Sequence, residues 1–227
     1  MKKRDIAFLT VLALPLAASA QDQIAAVKQA PVEQECYLEE PCFYDYDNRI
    51  AFSILHLTYE RIKPDALYAG IEAWWVPVIS AGSRAKPPGR FLTEAEFRIG
   101  YNYLFKGRNH VTPFVGGGII QDLHMWGHAS PPAVAYGAFG LLYMHEFSRF
   151  FNLGVNFKGM IGGSVDKRHR MNWGSPVGGI DVSLPFTFRL GSTKRWDIRI
   201  EPFDIYLHGR KLSRNYFGGR STIGYRF

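Results

Sequence analysis

Two Asp–His pairs stand close together in the chain: Asp122 lies two residues before His124, and Asp204 lies four before His208. A carboxylate that orients a histidine can support general-base chemistry, so either pair has the parts for hydrolysis. Spacings of two and four arise readily by chance, and no catalytic residue is assigned on this ground. His124 and His128 flank Trp126 and would give a metal two ligands. A closed site needs more, so a polar loop is the expected reading and no metal is assigned. Cys36 and Cys42 can close a small loop in an oxidising compartment or remain as two thiols. A zinc site would need two further ligands, and none is suggested nearby.

The charged residues fall into two groups. One is basic and clustered: Arg84, Lys86 and Arg90; then Lys167, Arg168 and Arg170 beside Asp166; then Arg210, Lys211 and Arg214 beside His208. A rim of such clusters attracts phosphates or anionic glycans, although charged loops are also commonly just solvated. The second group mixes both signs at alternate positions. It contains Glu94, Glu96, Arg98, Lys158, Asp181, Arg189, Arg199, Glu201 and Arg220, with Glu72, Glu146, Asp197 and Arg226 in similar settings. Opposite charges that share a narrow interior are expected to pair, because an unpaired buried charge is costly.

The elements that carry this second group are strands. From Thr93 to Phe105, Ala95, Phe97, Ile99, Tyr101, Tyr103 and Phe105 alternate with Glu94, Glu96, Arg98, Gly100 and Asn102. A half-turn per residue is a strand's period, not a helix's. The same rhythm recurs at 152–161, 180–189, 197–201 and 222–227. Pro202 interrupts one of these strands, and the alternation switches phase there, as at a bulge. Weaker strands are expected near 50–62, 67–79, 111–123 and 133–147. Short turns fall at 63–66, 106–109, 148–150 and 191–195, and longer loops near 80–90, 124–132, 165–173 and 208–215. This asymmetry, with apolar and polar faces alternating, suits an all-β transmembrane antiparallel up-and-down β-barrel. Nine strands are visible where an even number is required, so eight or ten are expected: ten with a further strand within 33–47, eight without the strand at 50–62.

The termini add to this expectation. Lys2, Lys3 and Arg4 precede the apolar run Ile6–Leu16 and the small-residue site Ala18-Ser19-Ala20, the layout of a cleavable secretory signal over 1–20. Removing it takes three bases and one acid from a total of 27 and 20, leaving a net charge of +5. Residues 21–48 are acidic and form a leader, a plug or an extra strand, and 49–227 form the barrel. Aromatics at 15% and 23 glycines suit a barrel with aromatic girdles.

The closing segment Ile223-Gly224-Tyr225-Arg226-Phe227 resembles the terminal strand of outer-membrane barrels. The resemblance implies that Tyr225 and Phe227 form the signal read by the barrel-assembly machinery. With its signal and strands, the chain over 50–227 resembles the small outer-membrane barrels, the group with OmpA-like and OmpW-like proteins. Lipid A deacylases of this fold carry a His-x-Ser-Asn tract near the C-terminus, whereas this chain has Arg220-Ser221-Thr222. The expectation is a structural or surface-interaction barrel in the outer membrane, with an ion-paired, largely closed lumen. Its partners would be outer-membrane lipid and anionic surface glycans. Nucleic acid is excluded by location, no cofactor is implied, and oligomeric state is left open. A narrow, porin-like channel is the alternative, and a lipid-modifying enzyme or protease is a further one.

Overall fold

The computed structural model describes residues 46–81, 90–105, 108–124, 133–165, 171–209 and 212–227. The signal segment, both cysteines and most of the acidic leader lie outside the described residues. Eleven antiparallel strands follow in chain order: β1 (Asn48–Ser53), β2 (His56–Arg61), β3 (Ala66–Ala81), β4 (Arg90–Phe105), β5 (Asn109–His124), β6 (Val134–Ser148), β7 (Phe151–Val165), β8 (Met171–Ser183), β9 (Phe186–Leu190), β10 (Trp196–Gly209) and β11 (Leu212–Arg226). They form one sheet that closes on itself as a barrel.

The closure differs between the two ends, which are here named for their short turns and their loops. At the turn end β11 pairs with β1, from Arg49↔Arg226 to Phe52↔Ile223. At the loop end β11 pairs directly with β3, from Asn215↔Ala81 to Gly218↔Val78. The β1–β2 hairpin is therefore a wedge driven part-way up the wall. Its tip, Ile54–Leu55, is tied off by Trp75 N donating to Leu55 O at 2.8 Å. β8 and β9 are one strand interrupted at Leu184–Pro185, since both pair with β7 and β10. Pro185 has no N–H to give. The gap is bridged by Gly154 N donating to Pro185 O at 2.9 Å and by Leu184 N donating to Pro202 O at 3.0 Å. The barrel thus has eight strands at the loop end and ten at the turn end. The expected strand at 50–62 is two short ones, and this split makes ten at the turn end; the further strand expected within 33–47 lies almost wholly outside the described residues.

Outside, the wall is apolar. Ile71, Phe97, Ile99, Val115, Phe139, Phe157, Ile180 and Ile200 all face outward and are exposed. Aromatic rings mark the turn-end border, with Tyr101–Tyr103 centroids 4.7 Å apart and Trp196–Tyr225 4.9 Å apart. Trp75 and Phe91, 5.0 Å apart, mark the loop-end side. Two glycines let strands approach where no side chain fits. A Cβ on Gly100 would stand 2.2 Å from Pro113 O, and one on Gly116 2.2 Å from Phe97 O.

Two expectations about β10 and β11 are corrected. The alternation does not switch phase at Pro202: β10 and β11 stay in register from Trp196↔Tyr225 to Gly209↔Leu212. The apolar residues after Pro202 look like a new outward face because Phe203, Ile205 and Leu207 are buried inside the barrel. The expected long loop at 208–215 is also absent. Only residues 210 and 211 separate β10 from β11.

Candidate functional site

The lumen is the obvious place for function, and it is filled in layers. Near the turn end, Asp197 accepts from Arg49 Nη2 at 2.7 Å and Arg226 Nε at 2.9 Å. Glu60 lies 3.2 Å from Arg49 Nη1 and 3.0 Å from Arg199 Nη1. Arg189 lies 3.1 Å from Glu146. A cavity of about 30 Å³ beside Arg49, Glu60 and His110 is large enough for a water or two.

At mid-height the pairs join into a chain across the bore. Lys158 Nζ stands 2.9 Å from Glu94, 2.6 Å from Glu96 and 3.1 Å from Asp181. Tyr136 OH donates to Glu94 as well. Arg98 reaches Glu96 at 3.0 Å and Glu72 at 2.9 Å. Arg220 links Glu72 at 3.1 Å to Glu201 at 2.7 Å, and His56 Nε2 lies 3.0 Å from Glu72.

Above the ionic layer the bore turns apolar. Trp74, Val76, Leu92, Ile120, Val134, Met160, Val177, Phe203, Ile205 and Leu207 are buried against one another, with Trp74 and Phe203 centroids 5.3 Å apart. Arg220 is the seam between the layers, its guanidinium 5.0 Å from the Trp74 ring centre and 5.1 Å from that of Phe203. Over the apolar layer, Asp122 Oδ2 accepts from Arg90 Nη1 at 2.9 Å, Arg214 Nη1 at 2.8 Å and Tyr216 OH at 3.2 Å.

The charges balance. Among the described residues the bore pairs nine acids (Glu60, Glu72, Glu94, Glu96, Asp122, Glu146, Asp181, Asp197, Glu201) with nine bases (Arg49, Arg90, Arg98, Lys158, Arg189, Arg199, Arg214, Arg220, Arg226). Desolvating each ion costs several kcal/mol, which only such mutual pairing offsets.

The sequence-derived candidates distribute as follows. Glu94, Glu96, Arg98, Lys158, Asp181, Arg189, Glu201 and Arg220 are buried in the bore, and Arg199 is nearly so. Arg90 and Arg214 do not sit in exposed loops: Arg90 opens β4, Arg214 lies on β11, and both turn inward to Asp122. Arg84, Lys86, Lys167, Arg168, Arg170, Arg210 and Lys211 lie outside the described residues. Tyr225 and Phe227 stack at the turn-end border, with centroids 6.4 Å apart. Asp122 is engaged by two arginines, and the His124 side chain lies outside the described residues; Asp204 has no hydrogen bond or ion pair to His208, so that pair is not assembled. Arg49, His56 and Glu60 were missed as lumen residues. Their alternation with Ile50, Leu57 and Tyr59 is the signal that finds them once Ile54–Leu55 is read as a turn.

No protein-family model and no curated protein matches the chain. Among solved structures it is similar to the loop-L8 deletion mutant of OmpT, an outer membrane protein of Vibrio cholerae. The TM-score is 0.32 and the identity 11%, over 79% of this chain and 62% of that one. At that level of likeness, the barrel's own geometry is what bears on function.

Proposed function

We propose that this chain is an outer-membrane β-barrel with a closed lumen, acting as a structural or surface-interaction protein of the small-barrel group. One observation carries the reading: an apolar layer fills the eight-stranded half of the bore, stacked on a densely ion-paired layer. An eight-stranded barrel is just wide enough for side chains to fill, and this one is filled. The wider, ten-stranded half holds the cavity of about 30 Å³ near Arg49, room for a water or two. The apolar exterior bordered by aromatic rings supports the membrane setting. The turn end faces the periplasm and the loop end the exterior. With the lumen shut, contact passes to the basic outer loops, where Arg84, Lys86, Lys167, Arg168, Arg170, Arg210 and Lys211 meet phosphates of the surrounding lipid or anionic glycans of a partner surface.

The test is solute flux. Vesicles carrying the folded barrel are placed in isotonic solutions of small sugars and amino acids. No swelling above that of protein-free vesicles is expected. Swelling that falls with solute size would overturn the closed-lumen reading and make the chain a narrow channel.

A further inference from the structure

Asp204 is out of place. Among the described residues, every other Asp and Glu has a hydrogen bond or an ion pair, and Asp204 has neither. Its neighbours on β10, Phe203 and Ile205, are buried inside, so Asp204 is on the outward face of the wall. It sits between two apolar register partners, Val182 on β8 and Phe217 on β11. One of its carboxylate oxygens is enclosed without a hydrogen bond, and so is the side-chain oxygen of Asn215 on β11. Tyr206, whose register partner is Asn215, lies between Asp204 and the rim. Tyr206 OH is 3.4 Å from His208 Nδ1 and 3.3 Å from Ser213 Oγ. Beside His208 a groove opens over Gly178, walled by Ile161 and Pro176.

Depth identifies what belongs there. Eight residues separate Asp204 from Trp196 at the turn-end border. At about 3.3 Å per residue and a tilt of about 40°, that is a climb of roughly 20 Å. The apolar band of such barrels is about 25 Å tall. Asp204 therefore lies at the level where acyl chains meet polar groups, below the plane of phosphates and ammonium groups. An unpaired carboxylate there needs hydrogen-bond donors.

We infer that this patch is a binding site for one outer-leaflet lipid whose polar–acyl junction carries N–H and O–H donors, an acylated amino sugar being the type. Asp204 and Asn215 accept from the junction, Tyr206, His208 and Ser213 contact the sugar, and one acyl chain lies in the groove over Gly178. The inference rests on the membrane reading given above.

The test uses the full chain folded into nanodiscs of phosphatidylglycerol, phosphatidylethanolamine and lipid A in equal amounts, then released into mild detergent for native mass spectrometry. The expected result is a monomeric barrel retaining one lipid A, with Asp204→Leu/Asn215→Leu retaining about tenfold less, the effect of losing a charged hydrogen bond. The double variant adds apolar surface to a lipid-facing wall and should fold at least as well, which a heat-shifted gel band verifies. Equal retention by wild type and variant, retention of a phospholipid instead, or a dimer that the variant dissolves would each overturn the site. A wild-type chain that fails to enter nanodiscs would overturn the membrane reading itself, and the inference with it.

Discussion

Lys158 is the residue whose removal separates a sealed bore from a wet one. Its ammonium is fully buried and lies within 3.1 Å of Glu94, Glu96 and Asp181. In Lys158→Met the chain length is kept and the charge is lost. Glu96 keeps Arg98, whereas Glu94 retains only the Tyr136 hydroxyl. Removing one partner of a buried pair strands the other and costs about 3–5 kcal/mol. If water filled the bore, the same pairs would behave as exposed ones, worth about 0–1 kcal/mol. The assay is equilibrium unfolding in guanidinium of the barrel in lipid vesicles, followed by tryptophan fluorescence. A loss of about 3 kcal/mol or more is expected. The triple variant Lys158→Met/Glu94→Gln/Asp181→Asn removes the stranded charges and should recover most of that loss. A loss below about 1 kcal/mol, or a triple variant no better than the single, would refute the reasoning.

Two further predictions address the wall. Ile54, at the hairpin tip, is 98% exposed, and its hairpin ends beside Trp75, within the apolar band. Ile54→Lys should weaken folding into vesicles by about 1–2 kcal/mol, between the roughly 2–4 kcal/mol of a cation at the bilayer midplane and the roughly 0–1 kcal/mol near an interface. A tip in water would show a change within about 0.5 kcal/mol. Gly116→Ala forces a Cβ against the Phe97 carbonyl oxygen, whereas Gly219→Ala meets nothing within 4 Å. The first should lose the heat-shifted gel band of the folded barrel and the second should keep it; equal behaviour would mean the strands approach less closely than described.

The sequence was legible wherever the barrel follows the rule of polar inside and apolar outside. β4 obeys it from Glu94 to Phe105, and its faces were read correctly. β10 obeys it only as far as Glu201. Beyond Pro202 the interior is apolar, so Phe203, Ile205 and Leu207 mimic an outward face and suggest a phase switch that the register does not contain. Arg90 and Arg214 were read as loop residues because they adjoin basic runs. The strands, however, continue for 13 to 16 residues, beyond the roughly 9–11 that cross a bilayer. Their extra length is what carries these arginines inward over the apolar layer. The hairpin tip at Ile54–Leu55 lacks the glycine or asparagine that usually announces a turn, so two strands passed for one.

The closed lumen is tested most directly by single-channel recording in a planar bilayer, with wild type beside a Leu92→Gly/Phe203→Gly/Ile205→Gly variant that hollows the apolar layer. Wild type, with folding verified, should be silent, and the hollowed barrel should show discrete conductance steps. Reproducible steps from the wild type would contradict the account and make the ion-paired lining a conduction path.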